Sequence, residues 1–191
     1  MACTSITAGL TPTCAALKKR GGANKRVWVG LRDDIDAYTQ DGTSKKITDV
    51  TMVASKKLFA FIGKRYKNSG RYELVVGENT TVFNHIVSLS LYHETQLDRN
   101  AINALAVSED LVVFMQNNAG QIEIFGLDID AGTTDDPAGG LNPSSGAGGT
   151  GVQLQDDTAF TIELSGEVSH LPLLFEDTNL ATSISTLDGL T

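Results

Sequence analysis

Apolar and polar residues alternate along much of this chain at the two-residue period that buries one face of a β-strand. In Lys25–Leu31, Val27, Val29 and Leu31 share one face and Trp28 lies on the other. Ile47–Val53 and Leu58–Ile62 are β-branched and aromatic runs separated by Ser55-Lys56-Lys57, and both are expected to be strands. Tyr72–Val76 and the long run Val82–Tyr92 flank Gly77-Glu78-Asn79, a turn signal. In the second run Phe83, His85, Val87, Leu89 and Leu91 face one way and Asn84, Ser88 and Ser90 the other. Thr158–Leu164 is the cleanest alternation, with Phe160, Ile162 and Leu164 inward.

The period changes between Thr95 and Gly126. Leu97, Ala101, Ile102, Leu105 and Ala106 recur at helical spacing, and Thr95-Gln96-Leu97-Asp98 has the form of a capping box, so a helix should start there. Ser108-Glu109-Asp110 ends it. Leu111–Met115 and Gln121–Phe125 then form a hairpin through Asn117-Asn118-Ala119-Gly120, residue types that tolerate the positive φ of tight turns.

Three stretches lack a period. Residues 1–24 are punctuated by Gly9, Pro12, Lys18-Lys19-Arg20 and Gly21-Gly22 and are expected to be an arm. Asp33 to Thr43 is expected to be a polar connection. Asp128 to Gln155 carries Asp135-Asp136-Pro137 and Gly146–Gly151, and is expected to be a long loop within a β domain spanning 25–175. A polar tail, 176–191, follows the apolar patch Leu171–Phe175. The expectation is eight strands and one helix: a mainly β protein, an antiparallel β-sandwich or barrel with one flanking α-helix, a long loop and extended terminal arms.

At 191 residues the chain is long enough for one domain with a sizeable core. No apolar run approaches the roughly 20 residues that span a bilayer. The amino terminus lacks the basic start and apolar core of a signal peptide, which points to synthesis in a cytoplasm. There Cys3 and Cys14 stay thiols, and a disulfide between them would form only on meeting an oxidising exterior.

The net charge of −8 is unevenly spread. Up to Arg99 there are 15 lysines and arginines against 9 acids; beyond it there are none against 14. Folding either interleaves the two parts or leaves one basic and one acidic surface suited to head-to-tail contact between copies.

The candidate chemistry is thin. Gly146-Ala147-Gly148-Gly149-Thr150-Gly151 matches G-x-G-x-x-G in letters, but a proline-serine loop precedes it and a strand follows, whereas phosphate binding needs a strand before and a helix after. Asp128-Ile129-Asp130 begins as a calcium loop does, then places Gly132 and Gly139 where ligands belong. His93-Glu94 lacks the second histidine of a zinc-protease motif. His85 is expected to be a satisfied residue on an apolar strand face. No activated nucleophile, metal set or cofactor motif stands out, so the expectation is a protein that is not an enzyme and carries no cofactor or metal. Lys18-Lys19-Arg20 lacks the interleaved aromatics of a single-strand binder.

The order of segments is similar to that of tail tube (major tail) proteins of tailed bacteriophages, of the type found in phages of Bacteroidetes. The resemblance is carried by Cys3–Leu10 with Cys14 and Gly21-Gly22, by the helix leading to Leu111-Val112-Val113-Phe114, by Asn117-Asn118-Ala119-Gly120 and Ile124-Phe125-Gly126-Leu127, and by Asp156–Phe160 entering a strand. It covers most of the chain. It implies a virion protein that forms hexameric rings stacked head-to-tail into a channel for DNA ejection, with itself and other tail proteins as partners, DNA as a transient passenger and no membrane. An acidic lumen would let DNA slide. The expected assembly residues are Val113, Asn117, Asn118, Gly120, Glu123 and Ile124 in the hairpin, taken as a sheet edge, with Lys18, Lys19 and Arg20 in the arm and Asp135 and Asp136 in the loop. The alternatives are a head-to-tail connector, terminator or capsid decoration protein, the inner tube of a contractile injection system, or a monomeric module that binds carbohydrate or calcium through the Asp128–Gln155 loop.

Overall fold

The computed structural model describes residues 22–63, 67–77, 81–92, 95–133, 136–149 and 159–191, with the side chains of Lys25 and of residues 130–138 excepted. The elements in chain order are β1 (Ala23–Leu31), a 3-10 turn (Arg32–Asp34), β2 (Ile35–Gln40), β3 (Ile47–Met52), β4 (Phe59–Ile62), β5 (Ser69–Val76), β6 (Thr81–Leu91), α1 (Gln96–Val107), β7 (Leu111–Asn117), β8 (Ile122–Phe125), β9 (Asp128–Thr133), β10 (Asp136–Ala138), β11 (Asn142–Gly148), β12 (Phe160–Val168), β13 (Leu173–Phe175) and α2 (Leu180–Gly189). The protein is mainly β, a sandwich rather than a closed barrel.

A seven-stranded sheet runs β2-β3-β13-β8-β7-β1-β4, and a four-stranded sheet runs β11-β12-β6-β5; β9 and β10 form a separate ribbon. Pairing is antiparallel except between β13 and β3. The large sheet is buried on both faces, which explains why Leu111–Met115 is apolar at every position. Val27, Val29, Val113, Met115 and Phe125 point into one core with Val87, Leu89, Ile162 and Leu164 of the small sheet and Ile102 and Leu105 of α1. Trp28, Val112, Phe114, Ile122 and Ile124 point into a second core closed by Leu187, Leu180 and Ile184 of α2.

Helix α1 begins as expected: the Thr95 side chain accepts from the Asp98 N–H, and the Asp98 carboxylate accepts from the Thr95 N–H at 2.9 Å. The Thr95 N–H, and then the Thr95 hydroxyl donating to the same carboxylate at 2.8 Å, hold the Asp98 carboxyl below its ordinary pKa. Of its apolar stripe, Ile102 and Leu105 are buried while Leu97 is exposed.

Several stretches differ from expectation. The polar connection contains β2, whose Ile35 is buried and which pairs along β3 at Ile35 and at Ala37 to Gln40, with an irregularity at Asp36. The expected loop Asp128–Gln155 contributes β9, β10 and β11 within its described part, and β11 pairs with β12 across seven residues. Gly146 and Gly148 therefore sit on a strand. The expected polar tail folds as α2. Asn179 caps it by accepting from the Thr182 N–H, and the Asp188 carboxylate accepts from Trp28 Nε1 and Arg26, both at 2.9 Å, anchoring the helix on the large sheet. Leu180, Ile184 and Leu187 lie at helical spacing, but the serines and threonines between them mask the stripe.

The charges interleave. Arg26–Asp188, Arg71–Glu163 and Lys46–Glu176 each join a cation from before Arg99 to an acid from after it.

Candidate functional site

The hairpin β7–β8 is interior. β7 lies between β1 and β8, and β8 between β7 and β13, so both strands have hydrogen-bond partners on both sides. Val113 and Ile124 are fully buried. The expectation that this hairpin supplies a sheet edge is therefore corrected: an all-apolar run marks a strand covered on both faces, which is a central strand. Its turn residues serve the turn. Asn117 Oδ1 accepts from the N–H groups of Ala119 and Gln121, both at 3.0 Å, its Nδ2 donates to Glu123 Oε1 at 2.5 Å, the Asn118 N–H donates to the Gly22 carbonyl at 3.0 Å, and Gly120 takes φ +82°. Lys18, Lys19, Arg20, Cys3, Cys14 and Asp135 lie outside the described residues, as does the side chain of Asp136.

The unpaired edges lie elsewhere, on β2 and β4 of the large sheet and β11 and β5 of the small one. They differ in chemistry. Every residue of β5 is exposed, including Tyr72 at 51%, Leu74 at 58% and Val76 at 70%. Gly70 fixes which way these side chains face: a Cβ there would fall 2.4 Å from the Phe125 ring, so Gly70 packs directly on the large sheet. By the two-residue period Tyr72, Leu74 and Val76 continue that same face along the strand, and all three are largely exposed. Tyr72 lines a half-open groove of about 360 Å³ with Met115, Asn117, Gln121 and Glu123.

β4 is close to β5 in the fold. Gly63, next after β4, bridges to Leu91 at the end of β6. The buried Asn68, just before β5, accepts from the Ser90 N–H at 3.0 Å and donates to the Asn24 carbonyl at 3.2 Å, pinning the two sheets at this corner. β4 exposes Phe59 and Ile62, and an apolar groove of about 250 Å³ runs between it and α1, lined by Leu31, Phe59, Phe61, Ala101 and Leu105. One flank of the sandwich thus carries two apolar edges in succession.

Another group of polar side chains, Asp128, Ser169, His170 and His85, meets at the join of the sheets. Both Asp128 carboxylate oxygens are taken by Ser169, from its N–H at 2.8 Å and its hydroxyl at 2.5 Å. His170 donates from Nδ1 to the Leu171 carbonyl at 2.8 Å and accepts at Nε2 from the Ile129 N–H at 3.3 Å. His85 is wholly buried, with both ring nitrogens engaged by backbone groups. The Ser169 hydroxyl is bonded to a carboxylate and each imidazole to main chain, so the nucleophile–base hydrogen bond of acyl-transfer chemistry is not formed here. Among the described residues no three His, Cys, Asp or Glu side chains converge as a metal site, and no helix is long and apolar enough to cross a membrane.

No protein family matches the chain, and neither a curated protein nor a solved structure matches it.

Proposed function

We propose that this chain is a structural subunit of a virion tail tube, which assembles with copies of itself into rings that stack into a channel for DNA ejection. The observation that carries the reading is the edge strand β5, paired with β6 on one side only and exposed along its whole length with Tyr72, Leu74, Val75 and Val76, beside the apolar edge β4. A long exposed apolar edge is a template for pairing with another chain, and a protein that works as a monomer blunts it. Here nothing among the described residues covers it. Contact made by one flank with a different surface of the next copy is heterologous, the kind that closes into rings or propagates as filaments.

Negative-stain microscopy of the purified protein across salt and protein concentration tests this. Stacked rings or tubes are the expected result. Single rings or caps would move the assignment to a connector, terminator or decoration protein, and a monomer under all conditions would overturn self-assembly.

A further inference from the structure

We propose that His85 is an acid-sensitive latch between the two sheets, closed while its ring is neutral and opened by a proton on Nδ1. The inference is independent of whether the chain assembles.

His85 stands on β6 in the small sheet and reaches across the core. Its Nδ1 accepts from the N–H of Gly126, at the corner where the chain leaves β8 of the large sheet, at 3.3 Å. The proton therefore sits on Nε2, which donates at 2.9 Å to the carbonyl of His170, in the link from β12 to β13. One ring so ties together two places where the chain passes from sheet to sheet. Phe125 packs edge-on against it at 5.7 Å. Gly126 packs closely at this corner, where no side chain fits. It takes φ +88°, and a Cβ there would meet the Leu111 carbonyl oxygen at 2.6 Å and Leu141 at 2.8 Å.

A second proton would place Nδ1–H against the Gly126 N–H, donor facing donor, and bury a cation in a closed site. The titratable and charged groups around the ring are few. From the strand on one side comes Tyr72, the partner of His85 across β5; the strand on the other side offers Gly166. From the join come His170, and Asp128 with its oxygens occupied by Ser169. Burial holds the His85 pKa down at about 4, opposed only in part by the His170 carbonyl and the Asp128 charge.

The sign follows. An unfolded chain binds this proton near pH 6.5 and the folded chain only near pH 4, so the native state is weakened as pH falls through that window and no further below it. Across the window the effect on the folding equilibrium is on the order of a hundredfold. The first group released is the Gly126 amide.

The test is urea unfolding of the full chain at one protein concentration between pH 7 and pH 4, with amide hydrogen exchange at Gly126, for the native sequence, His85→Gln and His170→Gln. Glutamine at 85 keeps an acceptor and a donor but does not titrate. The expected result is faster Gly126 exchange and a falling midpoint as pH drops in the native protein, the same pH dependence in His170→Gln, and a markedly flatter one in His85→Gln. Equal pH dependence in native protein and His85→Gln overturns the latch. Should His85→Gln fail to fold, nitrogen NMR of the native histidines decides: His85 staying neutral on Nδ1 to near pH 4 supports it, and protonation near pH 6.5 overturns it.

Discussion

The four edge strands of this sandwich meet the same physical problem in two ways. β2 and β11 end their sheets with Asp36, Thr39 and Gln40 in the first strand and Pro143, Ser144, Ser145 and Gly146 in the second. Charge, small polar side chains and a proline without an N–H all discourage another strand from pairing. β4 and β5 end the same sheets with Phe59, Ile62, Tyr72, Leu74, Val75 and Val76 exposed, and the charges of β5, Arg71 and Glu73, stand on the opposite face of that strand from Tyr72 and Leu74. The face that Tyr72, Leu74 and Val76 share carries no such device. That difference is the basis for proposing the apolar edges β4 and β5 as the binding surface; the hairpin β7–β8 borders it through the groove that Tyr72 shares with Met115, Asn117, Gln121 and Glu123, and does not itself supply an edge.

The largest effect should come from showing that the hairpin is core. Ile124→Ala removes a fully buried side chain packed with Phe114 and Leu187, and should lower unfolding free energy by about 2–5 kcal/mol in urea titrations. A loss under about 0.5 kcal/mol would return this strand to the surface and undo the contrast.

Charge on the apolar edge β5 should come next. Tyr72→Lys together with Leu74→Glu should weaken self-association more than tenfold by light scattering, equivalent to about 1.4 kcal/mol, while unfolding midpoints hardly move. Unchanged assembly would show that the exposed apolar edge is not the contact.

A smaller and purely local effect is expected at α1, which borders the groove beside β4. Thr95→Ala loses the side-chain cap and should cost about 1 kcal/mol of stability by thermal or urea unfolding, with ring formation retained. The smallest change belongs to the polar edge of the small sheet: Ser145→Lys on β11, an exposed edge position, should alter stability by less than about 0.5 kcal/mol and leave assembly intact. If it abolished assembly as fully as the β5 substitutions do, the polar and apolar edges would be equivalent and the comparison would fail.

Much of the local structure was legible because its causes are local. Thr95 and Asp98 are three residues apart and satisfy each other; Asn117 and Gly120 close their turn within a few residues; Phe160, Ile162 and Leu164 alternate against a core. His85 was legible as a satisfied core residue from its apolar strand face, although its partners, Gly126 and His170, lie about 41 and 85 residues away along the chain. The helix α2 shows in the sequence only as Leu180, Ile184 and Leu187 among serines and threonines, and β2 only as Ile35, Ala37 and Tyr38 in a stretch otherwise polar enough to read as a connection. Neither has a strong moment of its own. Each is held by what it packs on: α2 by Trp28 and Arg26 gripping Asp188, and β2 by its pairing with β3.

By itself the sequence determined the strongly periodic strands, the helix α1 and the turn at Asn117–Gly120, since these follow from periods and caps a few residues long; β2, β9, β10, β11 and α2 lay in stretches without such a period. It could not determine which apolar strand becomes an edge. Leu111–Met115 and Tyr72–Val76 are both short and rich in apolar residues, yet the first lies in the middle of a sheet buried on both faces and the second lies exposed at a border. That choice is made by pairing between segments dozens of residues apart, through the corners at Asn68 and Gly126. It exists only once the two sheets have met.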